Sequence, residues 1–174
     1  MEAWEAIRDK RDTRDYEPRP IAAEALQRIL QAGRMAGSSK NAQPIRLVVV
    51  RDDARKRALA GCGDFTTHLP ESPLVITIVR FEGSRPFDAG RAAQNMMLVA
   101  HALGVASCPV GIQRDDCARE VLGLPADTVV AMAITFGYPR GGRAAGRGDR
   151  RLPLDEYVHW ERWGQHLADP AQDG

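Results

Sequence analysis

The residues best equipped for chemistry in this 174-residue chain come early. Lys10-Arg11-Asp12-Thr13-Arg14 places three cations within five residues at the end of a helix-like segment. Two readings fit that spacing. Cations beside a helix C-terminus complement its dipole, worth about 0.3–1 kcal/mol each when exposed. A guanidinium can also meet two phosphate oxygens at once, which makes the same run a phosphate grip. A second cluster, Ser38-Ser39-Lys40-Asn41-Ala42-Gln43-Pro44, gathers small hydrogen-bonding side chains directly before an apolar run. Such residues either bond their own backbone in a turn or reach a ligand. A third is the glycine-laced basic loop with Arg140, Arg143, Arg147, Arg150 and Arg151 against a single Asp149, suited either to solvent or to closing over an anion.

Other chemistries lack their residues. His68, His101, His159 and His166 are scattered, with no H-E-x-x-H and no cysteine at metal-ligand spacing, so no metal site is expected. No G-x-S-x-G elbow, P-loop or G-x-G-x-x-G after a strand is present, which leaves hydrolases of that type and Rossmann dehydrogenases unsupported. The formal net charge of +1 argues against duplex nucleic acid or an anionic membrane surface as partner. Cys62, Cys108 and Cys117 form no C-x-x-C pair, and an odd count suits reduced thiols in a cytoplasmic setting. The first residues carry no leader-like apolar run, and no stretch reaches the roughly 18 apolar residues of a membrane span.

The elements that must position these clusters follow from periodicity. Ala3, Trp4, Ala6 and Ile7 give the first short helix its apolar face. After Pro18-Arg19-Pro20, Leu26, Ile29, Leu30, Gly33 and Ala36 recur at helical spacing, with Gly37 placed to end that helix. A strand is expected over 45–50, a short helix through Leu59 capped by Asp52 or Asp53, and a strand over 74–79. The segment 88–103 is apolar around most of its circumference, so it belongs in the core or in an interface between copies. A brief strand over 105–108 ending at Pro109-Val110-Gly111, a helix over 116–122 and a strand over 129–136 complete the pattern. Strands separated by helices without strict β-α-β regularity predict an α+β layered fold in a single domain spanning 1–174.

Taken in order, these segments resemble the nitroreductase family of flavin enzymes. The N-terminal run Lys10-Arg11-Asp12-Thr13-Arg14-Asp15-Tyr16 is similar to that family's basic motif followed by an aromatic residue. Gly37-Ser38-Ser39-Lys40-Asn41-Ala42-Gln43-Pro44 resembles its polar loop. Asp88-Ala89-Gly90-Arg91-Ala92-Ala93-Gln94-Asn95-Met96 resembles its central helix, and Gly104 to Gly111, Gly137-Tyr138-Pro139 and Arg151-Leu152-Pro153-Leu154 follow in the same order. The likeness implies a three-layer fold, a central mostly antiparallel sheet flanked by helices, and an intertwined homodimer with FMN at the subunit interface. It implies that Lys10, Arg11, Asp12 and Arg14 hold the phosphate and ribityl chain, with Arg151 closing from the C-terminal side. Ser38, Ser39 and Asn41 would come from the partner subunit. Pro109, Val110 and Gly111 would lie at the isoalloxazine edge, where a backbone N–H meets N5.

The implied activity is ping-pong hydride transfer from NADH or NADPH through FMN to a small acceptor, nitroaromatic or quinone-like, with no protein nucleophile needed. A specialised relative using flavin or deazaflavin differently, and a flavin-binding store without turnover, are the alternatives. Three positions depart from the family pattern: Asp12 for serine, Gly37 for proline and Ile45 for tryptophan.

Overall fold

A computed structural model describes residues 2–142 and 151–166. Arg143, Arg147, Asp149 and Arg150 of the basic loop lie outside the described residues. Two units are distinguished, 1–144 and 145–174.

The order in the first unit is α1 (Ala3–Asp9), α2 (Ala23–Arg34), a 3₁₀ turn (Ser39–Asn41), β1 (Ile45–Val50), α3 (Asp53–Ala60), β2 (Leu74–Phe81), α4 (Pro86–Ala102), β3 (Ala106–Val110), α5 (Asp115–Leu122) and β4 (Thr128–Gly137). The four strands form one antiparallel sheet in the order β1-β2-β4-β3. Alternation along the strands sends side chains to two separate cores. Leu74, Ile76 and Ile78 of β2, with Ile134 and Phe136 of β4, pack with Ile29 of α2 and Ala92, Ala93 and Met96 of α4. Val50, Val75, Val110 and Ala133 point the other way, to Leu59 of α3 and Ala118 of α5. Helices therefore cover both faces, giving three layers. β2 is interior to the sheet and covered on both faces, which is why it reads as an unbroken apolar run.

Local chemistry sets the helix ends. The Asp52 carboxylate accepts from Arg55 N at 2.8 Å and caps α3, as its position predicts. Pro86 opens α4, where its missing N–H costs nothing. Gly104, at φ +75°, closes α4: Val105 N donates to Ala100 O at 2.9 Å and Gly104 N to His101 O at 3.1 Å. That paired return requires a left-handed residue, which glycine adopts without a Cβ clash.

Two sequence expectations are corrected. Helix α2 ends at Arg34 with Met35 as its cap, three residues before Gly37. Gly37 instead receives Arg91, whose Nη1 donates to Gly37 O at 2.8 Å, and an added Cβ would lie 2.7 Å from that guanidinium. Second, Cys62 and Cys117 are joined as a disulfide, Cα–Cα 5.5 Å, fastening the end of α3 to α5; only Cys108 is a free thiol. Both partners pack in the α3–α5 core, so burial that suits a small apolar residue also brings the two sulfurs together.

In the second unit, α6 (Leu154–Tyr157) is a single turn begun by Pro153. The His159 ring packs against Trp163 and His166, with centroids 4.1 and 4.5 Å apart. No helix among the described residues is long and apolar enough to cross a membrane.

Candidate functional site

The basic run leaves α1 as extended chain and lies along the outer edge of the sheet. Asp12 bridges Ser107 of β3 in parallel, with Thr13 N donating to Ser107 O at 3.1 Å, and Tyr16 bridges Pro139 beyond β4. Extended chain alternates its side chains, so Lys10, Asp12 and Arg14 share one side while Arg11 and Thr13 take the other. The contacts follow that division. The Lys10 ammonium, largely covered, pairs with the Asp12 carboxylate and approaches Met97 Sδ at 3.4 Å. The Arg11 guanidinium turns back to donate to Arg8 O at 2.5 Å and Lys10 O at 2.9 Å, closing the last turn of α1.

Arg14, Asp12 and Lys10 all act on Cys108, the buried residue just before Pro109. Burial pushes the Cys108 thiol up, and the Arg14 charge pulls against that rise. The Arg14 charge also acts on the loop after α3. Burial, and then the Arg14 charge, hold His68 below the usual histidine range, while a Phe65 backbone hydrogen bond opposes them. One region thus collects Lys10, Asp12, Arg14, His68 and the Cys108–Gly111 end of β3. Pro109 and Val110 are the last residues of β3, paired with Ile134 and Ala133, and Gly111 is the first exposed residue beyond it.

Ser38, Ser39 and Asn41 are elsewhere. They precede β1, and β1 and β3 are opposite edges of the sheet. Three strand spacings separate those edges by about 14 Å. The registers place them at opposite ends as well: Ile45 aligns with Arg80 and Val129, whereas Ser107 aligns with Phe136 and Leu74. The loop has an unusual backbone, with Lys40, Asn41 and Gln43 at φ of 52°, 53° and 48°. Three non-glycine residues in the left-handed region store strain, on the order of 1–3 kcal/mol each. Part of the offset is Ser38 Oγ, which accepts from Gln43 N at 2.8 Å, so Ser38 serves its own turn. Ser39 and Asn41 are exposed. A groove of about 400 Å³ runs beside the loop, between α2 and β1, lined by Leu30, Gly33, Gln43, Pro44, Leu47 and Asp88 among others.

Sequence reasoning missed two contributors. His68 stands alone in the sequence, and only the fold carries it to Arg14. Thr135 reads as one more strand residue, yet its hydroxyl lies 2.7 Å from Tyr16 Oη.

Comparison with known proteins agrees with this fold. A protein of Archaeoglobus fulgidus, assigned as an NADH dehydrogenase/NAD(P)H nitroreductase, is 30% identical over 173 residues, covering 93% of this chain and 99% of its own length. The NADPH-flavin oxidoreductase of Vibrio harveyi is 28% identical, over 97% of this chain and 77% of that protein. The structure of a protein from Desulfovibrio desulfuricans, assigned as a nitroreductase and solved in complex with FMN, superposes with a TM-score of 0.82 at 30% identity, covering 94% of this chain and 98% of that one. The family model described as Nitroreductase family matches residues 7–80 and 69–138, a span running from the end of α1 through all four strands. With its basic edge strand, its three layers and that match, the chain belongs to the nitroreductase family.

Proposed function

We propose that two copies of this chain hold FMN between them and form an NAD(P)H-dependent oxidoreductase that reduces a small acceptor, nitroaromatic or quinone-like. The observation carrying this reading is that the basic run lies along β3, with Asp12 bridging Ser107 and Thr13 N donating to Ser107 O at 3.1 Å, which sets Lys10 and Arg14 beside the strand that leads to Gly111. The donor set fits FMN. Two cations suit a phosphate dianion, and Arg14 can offer it two parallel donors. Asp12 would repel that dianion if bare; paired with Lys10 it cancels one of the run's three cations, so the net of two positive charges includes Arg11, and its remaining lone pairs are left for ribityl hydroxyls. Bound FMN supplies the redox chemistry, taking hydride from reduced nicotinamide and giving it to the acceptor in alternate half-reactions.

The chain's own residues bind and orient. Lys10 and Arg14 fix the phosphate, and Arg11 joins them by leaving the carbonyls of α1. Arg151 is assigned to the same ligand on the family resemblance alone. Pro109, Val110 and Gly111 line the ring edge, where a backbone N–H presented to N5 stabilises charge developing on the ring. Ser38, Ser39 and Asn41, on the far edge and far end of the sheet, reach a flavin at Arg14 only from a second copy. The homodimer is therefore part of the proposal.

An absorbance spectrum of the purified protein, followed by anaerobic NADH or NADPH, tests this reading. A flavin spectrum that bleaches on addition is expected. A flavin spectrum that persists moves the protein to a store or to another electron donor. No flavin after incubation with FMN overturns the proposal.

A further inference from the structure

Tyr16 is buried to 3% exposure, beneath the strand that carries Lys10 and Arg14. Its hydroxyl sits between two elements. It lies 2.5 Å from Thr13 O, on its own segment, and 2.7 Å from Thr135 Oγ1, on β4. A carbonyl only accepts, so Tyr16 donates its single proton to Thr13 O and receives the Thr135 proton in return. Thr135 Oγ1 also lies 3.3 Å from Cys108 O, the carbonyl bonded to Pro109. With the single Thr135 proton given to Tyr16, the Cys108 carbonyl receives none from that hydroxyl, and Thr13, Tyr16 and Thr135 form one chain from the basic strand to β4. Burial also pushes the phenol far above its usual range, so it keeps its proton.

The geometry at Thr13 explains what this chain controls. The Thr13 carbonyl belongs to the peptide group joining Thr13 to Arg14, and a peptide group is rigid and planar. The preceding peptide group is pinned by Thr13 N donating to Ser107 O at 3.1 Å. The Tyr16 hydroxyl pins the following one. With both planes fixed, the Arg14 Cα, which lies in the second of them, is held in place too. Arg14 itself is exposed, so its backbone anchorage carries most of its placement.

We infer that Tyr16 is the positioning residue of the phosphate end of this site, placing the Arg14 backbone by holding the Thr13 carbonyl against Thr135 of β4. The inference rests on the FMN reading above and deepens it. Tyr16 touches no ligand; it acts through Arg14. Its hydroxyl therefore governs recognition of the phosphate and not of the ring.

The test is a pair of fluorescence titrations of the full, flavin-free chain, with FMN and with riboflavin, for wild type, Tyr16→Phe and Thr135→Val. The preference for FMN over riboflavin is the readout, because a merely structural role would weaken both ligands together. Each variant is expected to lose about five- to tenfold in FMN affinity, the equivalent of one hydrogen bond, with riboflavin changed by less than about twofold. Riboflavin binding also reports that each variant is folded. The double variant should lose no more than either single one, since the two hydroxyls form one chain. A wild-type preference for FMN that survives both substitutions, or parallel loss of both ligands, overturns the inference alone. Equal wild-type affinity for FMN and riboflavin overturns the phosphate reading beneath it, and the inference falls with it.

Discussion

Gly137→Ala puts the Tyr16 anchorage under direct load. Gly137 is the buried last residue of β4, paired with Ala106 of β3, so its backbone is held by the sheet. A Cβ there would lie 2.8 Å from Tyr16 Cδ1, 2.8 Å from Tyr16 Cγ and 2.8 Å from Pro73 Cδ. Contacts that short force something to move. Pro73 is a ring fused to the chain just ahead of β2, and Tyr16 Cγ is near the root of its side chain, so neither can simply swing away. Overpacking of this kind costs about 1–3 kcal/mol. If the tyrosine is the part that yields, its hydroxyl leaves Thr13 O and Thr135 Oγ1, which costs about another 1 kcal/mol. Loss of glycine's freedom in the unfolded chain returns about 0.4–1 kcal/mol. A net loss of about 2–3 kcal/mol is expected, read from urea denaturation at constant m. The decisive comparison is the same substitution in Tyr16→Phe. There the ring clash persists but the hydroxyl is already gone, so Gly137→Ala should cost about 1 kcal/mol less. A loss below about 0.5 kcal/mol in the wild-type background, or equal losses in both backgrounds, would refute the reasoning.

Arg14→Ala should weaken FMN by about 1.5–3 kcal/mol, the range for a charge-assisted hydrogen bond, and leave riboflavin unchanged; unaltered FMN affinity removes Arg14 from the grip. Titration of thiols in denaturant should find one without reductant, Cys108, and three after reduction. Three without reductant would show Cys62 and Cys117 unpaired. Closing a loop of 55 residues, that disulfide should contribute about 4 kcal/mol by the chain-entropy estimate, seen as a lower urea midpoint on reduction. His68 titrates below its usual range in the fold, so the unfolded chain binds more protons there and stability rises with pH through that window. Stability should therefore fall on acidification below about pH 6.5 and fall less in His68→Gln; an identical pH slope in the variant would exclude His68 as the source.

What the sequence discloses depends on whether the governing interaction is local. The β1 limits, Asp52 as a cap and the break at Gly104 all rest on neighbours within a few residues, and each was legible. The end of α2 was not. Gly37 looks like a helix stop, but its lack of a side chain answers to Arg91, 54 positions away. The Cys62–Cys117 pair was hidden for the same reason. An odd cysteine count speaks to compartment, whereas the bond depends on how α3 packs against α5. The strand order β1-β2-β4-β3 is likewise a matter of long-range pairing that no periodicity encodes.

The basic run shows how a correct grouping can still blur the roles within it. Read as composition, Lys10, Arg11 and Arg14 are three equivalent cations. Read as extended chain, they cannot be, because successive side chains face opposite ways. Lys10, Asp12 and Arg14 share one side and their charges act on Cys108, while Arg11 looks back at α1. Asp12, the odd residue in a phosphate grip, then has a use: it holds the Lys10 ammonium on the same side as Arg14. That division needs an extended conformation, and the conformation is imposed by Ser107 on one side and Tyr16 on the other. The residues that make three charges into a directional site are thus an uncharged serine, tyrosine and threonine. Their types announce no chemistry, and only the fold brings them to the charges they direct.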